Sequence, residues 1–224
     1  MIRTQTAGRV RVLTLDRPDR RNALTLEGLE TLREAVAAAG EPVVYLDGAG
    51  PAFCAGADLS VVESLDIDRA ETLAREGQRT MNRIESADAI VVAGIDGPAR
   101  GGGVELALAA DLRVATPEAT FAEPGVSMGL FGAWGGTRRL PAAVGETHAL
   151  DLSLSGRTID ASEAKDIGLV SRVVEDPRRV ADAVARNDPA ALTALKRLLR
   201  ERAAHRTQEE REVEAFAGLF AGSN

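Results

Sequence analysis

Glu105 is the residue of this chain whose setting most needs a chemical explanation. It follows three consecutive glycines, Gly101 to Gly103, and stands among Val104, Leu106, Ala107, Leu108, Ala109 and Ala110. That apolar run covers every face of a helix, and a helix of this kind is enclosed by protein on all sides. Glu105 is therefore a carboxylate in an apolar setting. Burying it unpaired is costly or raises its pKa, so such a group is kept where it is paired or used. A buried arginine partner and a general acid/base role are both open on these grounds. The glycines favour the second. Three in a row let a ligand approach the backbone closely, and the first amides of a helix lack internal partners and sit at the positive end of its dipole. Amides so placed stabilise a developing oxyanion, with an acid/base group one turn further along. Taken alone, the same glycines also suit a tight strand-to-helix turn.

The elements that must position this residue follow from periodicity. Ile90, Val91, Val92, Ala93 and Ile95 predict a buried strand, closed by Gly97 and Pro98. Val10, Val12, Leu13 and Leu15 predict a first strand. Thr25 caps a helix with Leu26, Leu29, Leu32 and Val36 at helical spacing, ended by Gly40. Pro42 opens a second strand over 43–46, and a glycine-rich loop over 47–58 and a helix over 69–87 lead to the central strand. This alternation implies parallel pairing with right-handed crossovers. Beyond Asp111 the expectations are a short strand over 112–115, the segment Thr120-Phe121-Ala122, and a second glycine-dense region over 125–136. Helices over 140–154 and 161–167 follow, then an edge strand from Gly168 through Val174, then helices over 180–186, 189–204 and 207–220. The chain divides into a core, residues 1–175, and a helical C-terminal region, residues 176–224, suited to oligomerisation.

Composition narrows the function. The 224 residues are 45% hydrophobic, 27% charged and 3% aromatic, as expected of one large globular unit with a core of Ala, Val, Leu and Ile. A formal charge of −7 argues against a nucleic-acid or anionic-membrane surface. No run approaches the roughly 20 apolar residues of a membrane span. The lone Cys54 excludes an internal disulfide, and with no apolar signal core at the N-terminus the expected compartment is the cytoplasm. His148 and His205 lack paired spacing, so no metal site is expected.

Five stretches, LDRPDRRNAL at 15–24, AFCAGADLS at 52–60, GIDGPARGGGVELALAADLRVAT at 94–116, FAEPGVSMGLFGAWGGTRRLP at 121–141 and LSGRTIDASEAKDIGLVSRVV at 154–174, together resemble the enoyl-CoA hydratase/isomerase, or crotonase, superfamily. The resemblance implies an α/β fold of repeated ββα units with a helical C-terminal region, assembled as a homotrimer or hexamer. It implies an acyl-CoA thioester as ligand, with coenzyme A arriving as part of the substrate and no separate cofactor. The amides of Ala57 and Gly102 match the donors that hold the thioester oxygen, and Glu105 matches the acid/base residue. Ala55, Ala57 and Leu59 match the loop that contacts the adenine side of CoA. Arg21 matches a position that reaches the CoA phosphates, the alternative being a solvated loop residue. Asp58 matches a loop brace. Arg100 could meet a phosphate or an acyl carboxylate, or form a salt bridge to a neighbouring helix. Trp134 either walls the acyl pocket and limits chain length or fills a subunit contact.

The chain departs from the hydratase pattern at Gly125, where the second catalytic glutamate would stand. Loss of one of two carboxylates is expected to slow hydration by about 100-fold to 10,000-fold. Residues two apart in an extended segment share a side, so Glu123 could reach the space at Gly125, although a surface or interhelix ion pair is the favoured role for it. Hydration of a 2-enoyl-CoA is the activity the resemblance implies. Isomerisation of a 3-enoyl to a 2-enoyl thioester and acyl-CoA binding without turnover are the alternatives. Family members commonly continue past the last helix with a segment that helps cover a neighbour's CoA site. Residues 216–224 lack that pattern, so a more open CoA pocket is one expectation.

Overall fold

The computed structural model describes residues 1–200, 211 and 213–216. Strands β1 (Ile2–Ala7) and β2 (Val10–Leu15) form an antiparallel hairpin. Helix α1 (Leu26–Ala37) then begins at Thr25, whose hydroxyl accepts a hydrogen bond from Gly28 N at 3.2 Å. Next come β3 (Val43–Gly48), a short α2 (Leu59–Val62), the long α3 (Ile67–Glu85), β4 (Ile90–Ile95), β5 (Pro98–Arg100) and α4 (Gly102–Ala109). The second half holds β6 (Leu112–Ala115), β7 (Thr120–Ala122), α5 (Gly136–Ser155), β8 (Ile159–Asp160), α6 (Ala161–Asp166), β9 (Arg172–Val173), α7 (Arg178–Ala185) and α8 (Pro189–Arg200).

The main sheet runs β1-β2-β3-β4-β6-β9, parallel throughout except at β1. All six residues of β4 are buried, as a central parallel strand covered on both faces requires. Alternate residues of β3 and β4 enter two separate cores. Val44, Leu46, Val91 and Ala93 face the larger one, with Leu29 and Leu32 of α1, Met81 and Ile84 of α3 and Leu106 of α4. Val43, Tyr45 and Val92 face the smaller one, closed by Val180 and Ala181 of α7. The small sheet β5-β7-β8 sits beside the start of α4. Helix α8 is fastened by the Lys196 ammonium, which lies 2.8 Å from the Asp111 carboxylate and donates to Ala89 O at 2.9 Å.

One expectation changes, one strand was unexpected, and the end of the helix over 189–204, residues 201–204, lies outside the described residues. The strand from Gly168 through Val174 contracts to Arg172–Val173, with Leu169 and Val170 buried in a turn instead. β1 was not anticipated, because its four central residues are exposed on an edge strand and give no apolar signal. The helix over 207–220 lies outside the described residues except for 211 and 213–216, which are helical. No helix among the described residues is long and apolar enough to cross a membrane.

Candidate active site

The backbone between β5 and α4 turns at Gly101, whose φ of 48° and ψ of −117° a side chain would not tolerate. Its amide donates to Ala122 O at 2.9 Å, and its carbonyl accepts from Val104 N at 2.8 Å and Glu105 N at 3.1 Å. Gly102 N, the first amide of α4, donates to no group among the described residues. Facing it is the loop before α2. There Leu24 N donates to Gly56 O and Asp58 N to Leu24 O, at 2.8 and 3.0 Å, and the intervening Ala57 N donates to no group among the described residues. Gly56 brings the two segments together: a Cβ on it would lie 2.7 Å from Arg100 O and 2.9 Å from Gly102 N. Asp58 braces this loop, accepting from Ser60 N and pairing with Arg17 at 3.0 Å. The buried Asn22 extends the brace. Its amide donates to Ala52 O at 2.7 Å and Ala49 O at 2.9 Å.

Glu105 is fully enclosed, 1% exposed, and has no ion-pair partner among the described residues. Its Oε1 accepts from Trp134 N at 2.8 Å and from Gly136 N, at the start of α5, at 2.7 Å. The packing is close: a Cβ on Gly132 would stand 2.7 Å from the carboxyl carbon and one on Gly136 2.8 Å from Oε1. Burial pushes the carboxyl up, and the Gly136 and Trp134 amides with the more distant Arg139 charge pull it back. Arg139 is thus not the buried partner that the sequence left open. It spans Glu85 at 2.7 Å and Trp134 O at 3.1 Å, fixing the turn that aims both amides. Its one sequence signal is position, a charge one residue before the apolar Leu140 in a helical pattern.

A cavity of about 220 Å³ opens between these segments. Ala55, Ala57, Leu59, Gly102, Glu105, Gly125 and Trp134 all line it. Arg21 does not. It is exposed, in a left-handed conformation after a 3-10 turn, and its carbonyl accepts from Ala55 N at 2.9 Å. Arg100 lines the cavity and, of the two roles left open for it, forms no salt bridge among the described residues. Its guanidinium donates to Thr120 O at 2.8 Å and Thr120 Oγ1 at 2.9 Å, and burial, with the Arg21 charge nearby, pushes its pKa down. Trp134 is buried within its own chain, packed between Gly77 of α3 and Gly102, where added Cβ atoms would fall 1.9 and 2.4 Å from the indole. A subunit contact is not needed to explain it. Leu65, Leu73, Met128, Leu130 and Phe131 complete an apolar wall.

Gly125 lies in a 3-10 turn, Pro124–Met128, and a Cβ there would sit 3.0 Å from Leu130 O. Glu123, just before it, also lines the cavity. Its carboxylate has no hydrogen-bond or ion-pair partner among the described residues, so the expected ion pair is absent. Burial and the charge of Glu105 push its pKa up to about 8. Among the described residues no group of three or more His, Cys, Asp or Glu is placed to hold a metal ion.

A parallel sheet whose central strand delivers a glycine turn, a helix and an enclosed glutamate to an apolar cavity defines a crotonase-like enzyme. The chain belongs to the enoyl-CoA hydratase/isomerase family, whose model matches residues 5–221. It is 38% identical over 202 residues to a probable enoyl-CoA hydratase of Bacillus subtilis, covering 85% of this chain and 78% of that one. A short-chain-enoyl-CoA hydratase of Clostridium acetobutylicum is 34% identical over 206 residues, 86% of this chain and 78% of the relative. The crystal structure of an enoyl-CoA hydratase from Bacillus anthracis superposes with a TM-score of 0.93 at 33% identity, covering 98% of this chain and 91% of that one.

Proposed function

We propose that this enzyme adds water across the double bond of a 2-enoyl-CoA thioester, with coenzyme A entering as part of the substrate and no further cofactor. The observation that supports this most is the pairing of two unused amides, Ala57 N and Gly102 N, with a carboxylate held in the same apolar cavity. Attack of water at C3 places negative charge on the thioester oxygen that is absent from the bound substrate. Donors fixed in advance at that oxygen therefore favour the transition state over the ground state. Glu105, held by two amides that prefer its ionised form, takes the proton from water. The side chain of Ala57 matters little, since its amide carries the interaction. Ala55 and Leu59 flank the path to the adenine side, and Arg21 and Arg100 supply positive charge near the mouth for phosphates.

Hydration of crotonyl-CoA, followed as loss of absorbance of the conjugated thioester, tests the reading. Glu105→Gln is expected to lose about 100-fold to 10,000-fold in kcat, and equal rates for variant and wild type would refute the base assignment. Isomerisation of a 3-enoyl thioester is the second reading, since one carboxylate can carry a proton between carbons, and it would show as a rise in the same absorbance. We further propose a cytoplasmic homotrimer or hexamer. The exposed Leu195, Leu199 and Val213 support a subunit contact along the C-terminal helices. Light scattering that gave a monomer mass would exclude it.

A further inference from the structure

We propose that Glu123 is the second catalytic residue, the acid that delivers the proton to the α-carbon opposite the base Glu105, from a position two residues before the one that is glycine here. This rests on the hydratase reading above and assigns the half of the reaction that Glu105 alone leaves uncovered.

Three observations carry it. Glu123 follows directly on β7, and the preceding carbonyl, Ala122 O, accepts from Gly101 N at 2.9 Å, so its backbone is tied to the turn that starts α4. Its side chain lines the same cavity as Glu105. It is also a partly buried carboxylate with no hydrogen-bond or ion-pair partner among the described residues, while the surrounding cations are committed elsewhere. Arg100 of β5 is turned to Thr120, Arg139 of α5 to Glu85, and Arg157 beyond α5 to Asp151 and Glu163. Among the described residues the charge that acts on Glu123 is Glu105. Two carboxylates on one apolar cavity do not both ionise readily, and the pair divides its proton unequally. Glu105 has two amide donors and Glu123 has none, so the proton rests on Glu123 at neutral pH.

The step balances without a further reagent. Water oxygen bonds to C3 and its proton passes to Glu105, while the C2=C3 electron pair moves into the thioester enolate. Glu123 O–H then donates to C2 as the enolate collapses to the carbonyl. The proton on Glu105 returns to Glu123 through water, and the net change is one water added. Gly125 does not supply a substitute, since a side chain there would press on the Leu130 carbonyl.

The test compares wild type, Glu123→Gln and Glu123→Asp in crotonyl-CoA hydration across pH. It adds exchange of the α-protons of butyryl-CoA in D2O, read by NMR, and butyryl-CoA affinity by calorimetry. Glu123→Gln is expected to lose about 100-fold to 10,000-fold in kcat and to abolish exchange, with KM and affinity within about threefold and Asp restoring part. Wild-type activity should fall as pH rises through about 8, where the donor loses its proton, and that alkaline limb should vanish in Glu123→Gln. A Gln variant that folds and keeps kcat within about threefold, or keeps the limb, overturns the proposal while leaving the hydratase reading intact. A wild type that hydrates no enoyl-CoA but exchanges α-protons through Glu123 sinks the hydratase reading alone. A wild type that does neither sinks both.

Discussion

The cavity wall formed by residues 54–58 and the start of α4 is stitched to the sheet by backbone hydrogen bonds, Arg100 N to Cys54 O at 3.0 Å and Gly101 N to Ala122 O at 2.9 Å among them. The facing wall, residues 123–134, is a 3-10 turn and a loop that leaves Val126, Met128, Leu130 and Phe131 exposed. In the first wall the useful groups are amides, so side-chain identity matters only where bulk would block an approach. In the second, side chains set the chemistry and the shape. Trp134 joins the two, with its amide on Glu105 and its ring against Gly102.

The largest effect should therefore come from removing that joint. Trp134→Ala deletes a buried ring between two helices, which costs about 3–5 kcal/mol, or very roughly 10 °C in Tm for a chain of this size. The void opens beside Gly102, so surviving protein should accept longer enoyl chains relative to crotonyl-CoA. A melting temperature within about 2 °C of wild type would show that the indole is not holding the walls together.

Gly56→Val breaks the first wall alone. The position has φ of 86°, and a Cβ would meet Arg100 O and Gly102 N from 2.7 and 2.9 Å. The two amides would be pushed apart, and losing one such donor costs about 100-fold to 1,000-fold in kcat. Retention of wild-type kcat in a folded Gly56→Val protein would dissociate the amides from the chemistry.

The same division decides what could be seen in the sequence. Thr25 with Leu29, Leu32 and Val36 marked α1, the unbroken apolar run marked β4, and the glycines before an all-round apolar helix marked Glu105, because each signal lies within one element. What escaped depends on partners far along the chain. Asn22 binds carbonyls 27 and 30 residues on, and Arg139 reaches Glu85, 54 residues back. Gly132 and Gly136 serve by packing on a carboxylate that periodicity cannot place beside them. Glu123 was weighed and assigned to an ion pair, the ordinary fate of a carboxylate in an arginine-rich chain. Only tertiary packing reveals that Arg100, Arg139 and Arg157 are engaged elsewhere. Strands of two or three residues, such as β5, β7 and β8, are too short for a period of two to register.

The smallest effect on stability should come from the outermost part of the second wall. Phe131 lines the cavity yet is 76% exposed, so little of its ring is removed from water within the chain. Exposed substitutions away from caps and buried networks stay within about 0.5 kcal/mol, so Phe131→Ser should leave Tm nearly unchanged. The ring still covers one side of the acyl path, and without it KM should rise more for a longer enoyl-CoA than for crotonyl-CoA while kcat holds, the pattern of lost uniform binding. A fall in Tm of several degrees would instead place Phe131 against another surface in solution. The second wall would then be finished by a neighbouring subunit, and the contrast with the self-contained first wall would be sharper still.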